Sequence, residues 1–339
     1  MKSIVYARTG DPSVLTLVEK PVPPVGSGEV RVKVAVSGVN PTDWKARQGN
    51  NAALPAGGQV PNQDGAGVVD AIGGDVPGLE KGDRVWIWDA AWRRADGTAQ
   101  EYVTLPAKQV VPLPDNASFD LGATMGIPAL TAHRALTAHR AAPLQLEPGV
   151  LKGLTVLVAG GAGAVSHAAI QLADWAGAVV VATASSEEKA ELSRRAGAHQ
   201  VINYRSQDVA AALLDRHPAG ADIIVEVNLR ANLEADLAML ANNGAIAVYA
   251  SDDRDEISVP TRACMMKNAR LQYILTYLTH PDAKMASVRA VNAAIAAGAM
   301  EVGEQAGLPL HRYPLERTAD AHRASEAGVI GKVLIDVAP

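Results

Sequence analysis

The stretch from Thr155 to Asp174, TVLVAGGAGAVSHAAIQLAD, decides the fold. Residues 155–159 form an apolar run suited to a strand buried on both faces. Gly160, Gly161 and Gly163 then let the backbone turn tightly and approach another group closely. Ala164, Val165, Ala168, Ala169, Leu172 and Ala173 follow at spacings that give a helix from about residue 163 a small apolar face against a sheet. Strand, glycine turn and helix in this order are the setting of a dinucleotide fingerprint, because the first amides of the helix are aimed at a pyrophosphate. On the register GxxGxxG the third position is Ser166, small enough for close packing but not a glycine. Glycine turns also serve as plain strand-to-helix connections, so the flanking chain has to discriminate.

Downstream the pattern alternates. Strands are predicted at 178–184, 199–204, 221–227 and 245–250, with helices at 185–197, 208–217 and 233–240 between them. Apolar strands separated by helices of about ten residues specify a parallel sheet covered on both faces, a doubly wound α/β domain. Two more helices are predicted, at about 265–279 and 283–297, followed by loop and extended chain to Pro314, an amphipathic helix at 315–327 and a last strand, GKVLIDV, at 331–337.

Upstream, strands are read at 2–7 and 14–19, and EVRVKVAVSGVN from Glu29 alternates as a half-buried strand does. Asn40 and Asp43 read as turn and cap residues of a short helical turn or as cleft residues. Residues 49–64 are a loop, strands resume at 65–72 and 83–88, and AQEYVTLP and QVVPLP are again strand-like. Closely spaced glycines suggest a small curled sheet, with Trp86 in its core and Ser118 as a helix N-cap. The last strand is placed with this sheet.

Composition narrows the function. With 339 residues, 48% hydrophobic and 20% charged, the chain has room for two well-filled domains. A net charge of -5 without a basic run argues against nucleic acid or an anionic membrane as partner. One cysteine, Cys264, permits neither an internal disulfide nor a Cys-rich zinc site and suits a reducing, cytoplasmic setting. Neither a signal peptide nor a membrane span is expected.

Ligands of open parallel sheets sit beyond the carboxyl ends of the strands. An NAD-preferring site would place Asp or Glu after the strand at 178–184; here stand Ala184, Ser185 and Ser186, with Lys189 one helical turn on. Hydroxyls and an amine suit a phosphate and point to NADPH, although Ser185 with Glu188 also reads as a capping box and Lys189 as a surface charge. Tyr204 is a candidate adenine cover, and Asn228, Ala250 and Ser251 fall where a nicotinamide ribose would lie. Glu226, in an otherwise apolar strand, reads as a carboxylate satisfied by nearby amides. The first histidine is His133, and no HxxxH or CxxC spacing occurs, so no metal is expected. No GxSxG is present for a serine hydrolase. Direct hydride transfer remains the economical chemistry.

Taken together, VSGVNPTDWKARQG (36–49), QDGAGVV (63–69), GDRV (82–85), AQEYVTLP (99–106), IPALTAHRAL (127–136), VLVAGGAGAVSHAAIQLA (156–173), ATASSEEKAELSRRAGA (182–198), VINYR (201–205) and GKVLIDV resemble the medium-chain dehydrogenase/reductase superfamily. The resemblance covers nearly the whole chain and is to the zinc-free quinone oxidoreductase, zeta-crystallin-like branch. It implies a Rossmann-type NADPH domain at 126–299 and a GroES-like, mostly β catalytic domain built from 1–125 and 300–339, with a cleft where they meet. It further implies reduction of a quinone or enone; a non-enzymatic, crystallin-like NADPH-binding protein is the alternative. By the same resemblance Asn40, Asp43 and Thr131 are the catalytic-site candidates. Gly160, Gly161, Ala162, Gly163, Ala164, Val165, Ser185, Ser186, Lys189, Tyr204 and Lys332 fall at cofactor contacts. Where zinc-dependent relatives carry a cysteine and a histidine-glutamate pair, this chain has Gly38 and Gln63-Asp64. A homodimer is implied, through an edge strand near 245–250.

Overall fold

A computed structural model describes residues 1–49, 54–251 and 256–337. Residues 50–53 of the expected loop at 49–64 lie outside these. The chain divides into two compact units, Met1–Ile127 with Pro309–Pro339, and Pro128–Leu308.

The first unit opens with the hairpin β1 (Lys2–Val5) and β2 (Thr16–Glu19). The long β3 (Glu29–Val39) runs directly into α1 (Pro41–Gln48), where Pro41 pre-sets the helical φ and needs no hydrogen-bond acceptor. Then come β4 (Asp64–Ile72), β5 (Arg84–Ile87), β6 (Tyr102–Pro106), β7 (Val110–Pro112) and α2 (Phe119–Thr124), whose N-cap Ser118 accepts from Leu121 N. A π-helical turn, Met125–Ala129, contains Pro128 and carries the chain out of the unit.

The second unit begins with α3 (Leu130–Leu136), then β8 (Thr155–Val158), α4 (Ala164–Trp175), β9 (Val179–Ala184) and α5 (Glu187–Arg195). Next are β10 (Gln200–Asn203), α6 (Val209–Arg216), β11 (Ala221–Glu226), α7 (Leu229–Met239) and β12 (Leu240–Val248). The unit ends with α8 (Thr261–Lys267), β13 (Arg270–Tyr273) and α9 (Pro281–Ala296). Its six strands are parallel in the order β10-β9-β8-β11-β12-β13, reversing direction of growth at β8 and β11. Val156, Leu157 and Val158 are at most 1% exposed, as a strand at that central position must be.

Two expectations are corrected here. The single helix expected at 265–279 is instead α8 followed by β13. Asn268 stops α8 in the left-handed region at φ 48, which asparagine tolerates, and RLQY then pairs with Ala245–Val248. The strand near 245–250 is consequently interior, and β13 is the edge.

The chain returns to the first unit as β14 (Leu310–Pro314), α10 (Thr318–Glu326) and β15 (Lys332–Asp336). β15 lies between β14 and β3 in the sheet β14-β15-β3-β4-β5-β7, with β6 also on β3. This confirms the placement of the last strand. Valines 30, 32 and 34 of β3 and Trp86 are fully buried in this unit. Residues 300–308, grouped with the chain ends on sequence, pack in the second unit: His167 Nε2 lies 2.8 Å from Ala306 O, and Gln171 bonds both the N and O of Glu301. No helix among the described residues is long and apolar enough to cross a membrane.

Candidate functional site

In the second unit the three glycines have three different reasons. Gly160 takes φ 62, a left-handed conformation costly to other residues. At Gly161 a Cβ would lie 2.4 Å from Ser193 Oγ and 3.0 Å from Ala182 Cβ, so close packing on the neighbouring strand and helix excludes it. Gly163 has an ordinary backbone (φ -81, ψ 154), and a Cβ there would meet nothing nearer than 3.5 Å. What Gly163 contributes is an uncovered approach: it is exposed, and it caps α4 with no side chain over the first-turn amides of Ala164 and Val165. Gly160 N donates to the Thr183 side-chain Oγ1 (3.1 Å) and Gly161 N to the Thr183 backbone O (2.9 Å), tying the turn to β9.

Ser166 does more than the small packing role read from sequence. Buried at 1% exposure, its Oγ donates to Ala159 O (2.9 Å) and lies 3.2 Å from Tyr249 OH, binding the end of β8 and the segment after β12 to the first turn of α4. A glycine at this position lacks that link.

Beyond β9, the N-cap of α5 is Ser186, whose Oγ accepts from Lys189 N at 3.3 Å; the cap lies one residue beyond Ser185, with Lys189 in place of Glu188 at the third helical position, so the capping box read with Ser185 is replaced by a simple N-cap. The Ser186 O–H remains a donor, and Ser185, Ser186 and Lys189 are half-buried neighbours of one helix N-terminus. Among the described residues Lys189 has no salt-bridge partner, and no carboxylate ends β9. Tyr204 is 50% exposed just after β10. Asn228 caps α7 through Ala231 N, and Ala250 and Ser251 follow β12. Thr131, at 5% exposure, lies on α3. A cleft of about 790 Å³ between α7 and α8, lined by Leu233, Leu237, Ile257 and Met266 among others, includes none of the candidate residues.

The first unit brings Asn40, Asp43 and Lys332 together with Asp64, a residue noted on sequence only for its position in the family pattern. Lys332 Nζ donates to Asn40 Oδ1 at 2.6 Å and lies 3.8 Å from Asp64 Oδ2. Asn40 Nδ2 donates to Asp64 Oδ2 (2.7 Å), and Asn40 N to Asp43 Oδ2 (2.7 Å). Ile127 N, in the π-helical turn, donates to Asp64 Oδ1 (2.9 Å). This last contact requires Gly126, where a Cβ would sit 2.1 Å from Asp64 Oδ1. All four side chains are at most 3% exposed, so Asn40 spends its amide inside the protein.

Burial drives the Asp43 carboxyl up to about 8, helped by the neighbouring Asp64. Burial also raises Asp64, to about 6, but Lys332 and the Asn40 amide hold it down. Lys332 is lowered by burial and supported by Asp64 and Asp43. At neutral pH the cluster therefore holds a carboxylate at Asp64, facing the Lys332 amino group, and a neutral acid at Asp43. No motif spacing could reveal this, since the partners stand 24 and 292 residues from Asn40.

A family model described as "Alcohol dehydrogenase GroES-like domain" matches residues 26–115, and one described as "Zinc-binding dehydrogenase" matches 164–300. The chain is 31% identical to quinone oxidoreductase of Pongo abelii over 339 residues, covering 99% of this chain and 97% of the relative. The chain belongs to the zinc-independent quinone oxidoreductase family. Among solved structures, an NAD-dependent alcohol dehydrogenase superposes with TM-score 0.84 at 28% identity, covering 100% of both chains. The mycobacterial protein Rv1454c complexed with NADPH superposes with TM-score 0.80 at 28% identity, covering 99% of both.

The zinc of that model's description does not fit this family member. At Gly38 a Cβ would lie 2.0 Å from Ala123 O and 3.3 Å from Lys332 Cε, so no ligating side chain can be placed there without displacing α2. Among the described residues no group of three or more His, Cys, Asp and Glu is arranged to hold a metal ion. His133 is instead a neutral structural histidine: Nε2 accepts from Leu146 N, so Nδ1 donates to Ser287 Oγ, and burial lowers it to about 3.

Proposed function

We propose that the protein is an NADPH-dependent reductase that transfers hydride to a quinone or an α,β-unsaturated carbonyl compound without a metal. The observation that carries this reading is the end of β9: Ser185, Ser186 and Lys189 surround a helix N-terminus, with no carboxylate to take the ribose hydroxyls. Two donors and an ammonium suit the 2′-phosphate that distinguishes NADPH from NADH. The relatives' name and the NADPH complex of Rv1454c support it.

In this reading the amides of Ala162, Ala164 and Val165 hold the pyrophosphate, which the open side of Gly163 admits, while the Gly161 and Gly163 amides are spent within the turn and on β9. Tyr204 covers the adenine, Asn228, Ala250 and Ser251 border the nicotinamide ribose, and Thr131 is a further cofactor contact. Asn40, Asp43 and Lys332 act as a charge-balanced support rather than as groups that exchange protons with substrate, because their polar atoms face one another. The bound nicotinamide supplies the hydride, and water supplies the proton that completes the product.

Steady-state NADPH oxidation, measured with quinones and enones in parallel and repeated with NADH, tests the proposal. Turnover with NADPH on either substrate class is the expected result. Tight NADPH binding without turnover on any of them favours the crystallin-like alternative, and absence of binding removes both.

The dimer belongs to the same proposal. Among the described residues β13 has a strand neighbour only in β12, and the surface around it exposes Met265, Met266, Tyr273, Leu275 and Leu278, each at least 52% exposed. A second copy pairing along this edge would cover both the open backbone and the apolar patch. Sedimentation showing a monomer at every concentration would refute it.

A further inference from the structure

Glu226 is the last residue of β11, beside β8, and Asp236 lies on α7. Asn228, Asn232 and Asp236 recur every four residues and so share one side of that helix. Both carboxyl side chains are 1% exposed. Glu226 Oε1 accepts from Asn228 N and from Asn232 Nδ2 (3.0 Å); the Asp236 carboxyl stands beside Glu226, and its buried Oδ2 finds no acceptor or donor elsewhere. Among the described residues neither has a salt-bridge partner. Two adjacent carboxylates in a dry site repel, and a hydrogen bond between two carboxyls requires a proton.

Burial, followed by the Glu226 charge, pushes Asp236 up to about 9. The other titratable group that senses Glu226 is Tyr249, itself raised to about 12 by burial and hydrogen-bonded to Ser166. The charged residues of α7 itself, Arg230 and Glu234, line the cleft toward α8, and those of the neighbouring α6, Asp215 and Arg216, are exposed.

The turn that this pair holds abuts the glycine turn. Val227 lies between Glu226 and Asn228, and its Cγ1 is 3.7 Å from where a Cβ on Gly160 would stand; Ala159 N donates to Val225 O at 2.9 Å. We propose that Glu226 and Asp236 share one proton, and that this proton fixes the 226–228 turn in the position cofactor binding needs. Asp236 is then a positioning residue, never in contact with the cofactor. The functional half of this inference rests on the NADPH reading; the shared proton does not.

The sign follows from proton counting. Above about pH 4 the unfolded chain has released the Asp236 proton while the folded protein keeps it. The pair's contribution to stability is therefore complete below about pH 4 and falls continuously as pH rises to about 9. Asp236→Asn replaces the O–H donor with an N–H donor and removes the titration.

Two measurements on the full chain decide it. In melting curves of the ligand-free protein from about pH 6 to about pH 10, Asp236→Asn should gain on the wild type as pH rises and stop gaining above about pH 9. Parallel curves overturn the shared proton. In NADPH titrations, wild-type affinity should weaken about fivefold more than that of the variant between about pH 7 and about pH 10; equal slopes overturn the positioning role. Glu226→Gln removes the charge beside Asp236 but not its burial, so if Asp236→Asn fails to fold this variant should show a shallower profile than the wild type, and a profile parallel to the wild type overturns the shared proton. A protein that binds no NADPH at any pH defeats the cofactor reading, while the melting curves still decide the proton.

Discussion

The glycine turn is backbone from a few consecutive residues, whereas the Asn40, Asp43, Asp64 and Lys332 cluster is made of side chains whose positions span 292 residues. The first works by what is missing: no Cβ at Gly161 to strike Ser193, none at Gly163 to shield the helix amides. The second works by what is filled, with an ammonium and an amide occupying the space next to Gly38. An open backbone site tolerates a changed neighbour; a closed charge network transmits the change to every member. The two regions should accordingly fail in different ways when altered.

The largest effect is expected at Lys332. Lys332→Met leaves the Asp64 carboxylate buried without its cation and Asn40 Oδ1 without its donor, which costs about 3–5 kcal/mol of stability in urea unfolding. Adding Asp64→Asn should restore part of that loss, since the uncompensated charge is then gone. A single variant within about 1 kcal/mol of wild type would make the cluster no more than a surface-like ion pair.

Lys189→Ala should act on affinity instead. Loss of one charge-assisted contact to a phosphate is worth about 2 kcal/mol, so NADPH binding should weaken by more than about tenfold while NADH binding stays within about twofold. Equal weakening of both cofactors would remove the phosphate role and leave Lys189 as a surface charge.

The smallest effect is expected where the two kinds of construction overlap. Ser166→Gly restores the glycine of the fingerprint but deletes the bonds to Ala159 O and Tyr249 OH. We expect a loss of about 1–2 kcal/mol in stability from the lost bonds and the helical glycine, with NADPH affinity changed less than about threefold. A larger loss of affinity would show that the hydroxyl also serves the cofactor.

What sequence could disclose follows the same division. The parallel sheet, the glycine turn and the serines that follow β9 are local patterns, each legible because its meaning depends on neighbours in the chain. The β13 strand was hidden because RLQY carries no strong strand signature and is preceded by a helix; the left-handed cap at Asn268 decides it. Asn40 and Asp43 were visible as polar residues after a strand, but their burial was not. That requires knowing that Lys332 returns beside them on β15 and that Gly126 lets Asp64 reach Ile127 N. Glu226 was visible as an anomaly, and its amide donors were anticipated, but Asp236 was not, since nothing in the helix sequence distinguishes an inward carboxylate from an outward one.

The pairing of β15 with β3 also sets an order on biosynthesis. A ribosome releases Asn40 and Asp64 long before Lys332, and the whole of residues 128–308 emerges in between. The parallel sheet has all its strands by Tyr273 and is free to form while the chain is still being made. The first unit, by contrast, holds an unmatched carboxylate and an open strand edge at β3 until 292 residues have followed Asn40. Of the two units, the one that starts first is the one that finishes last.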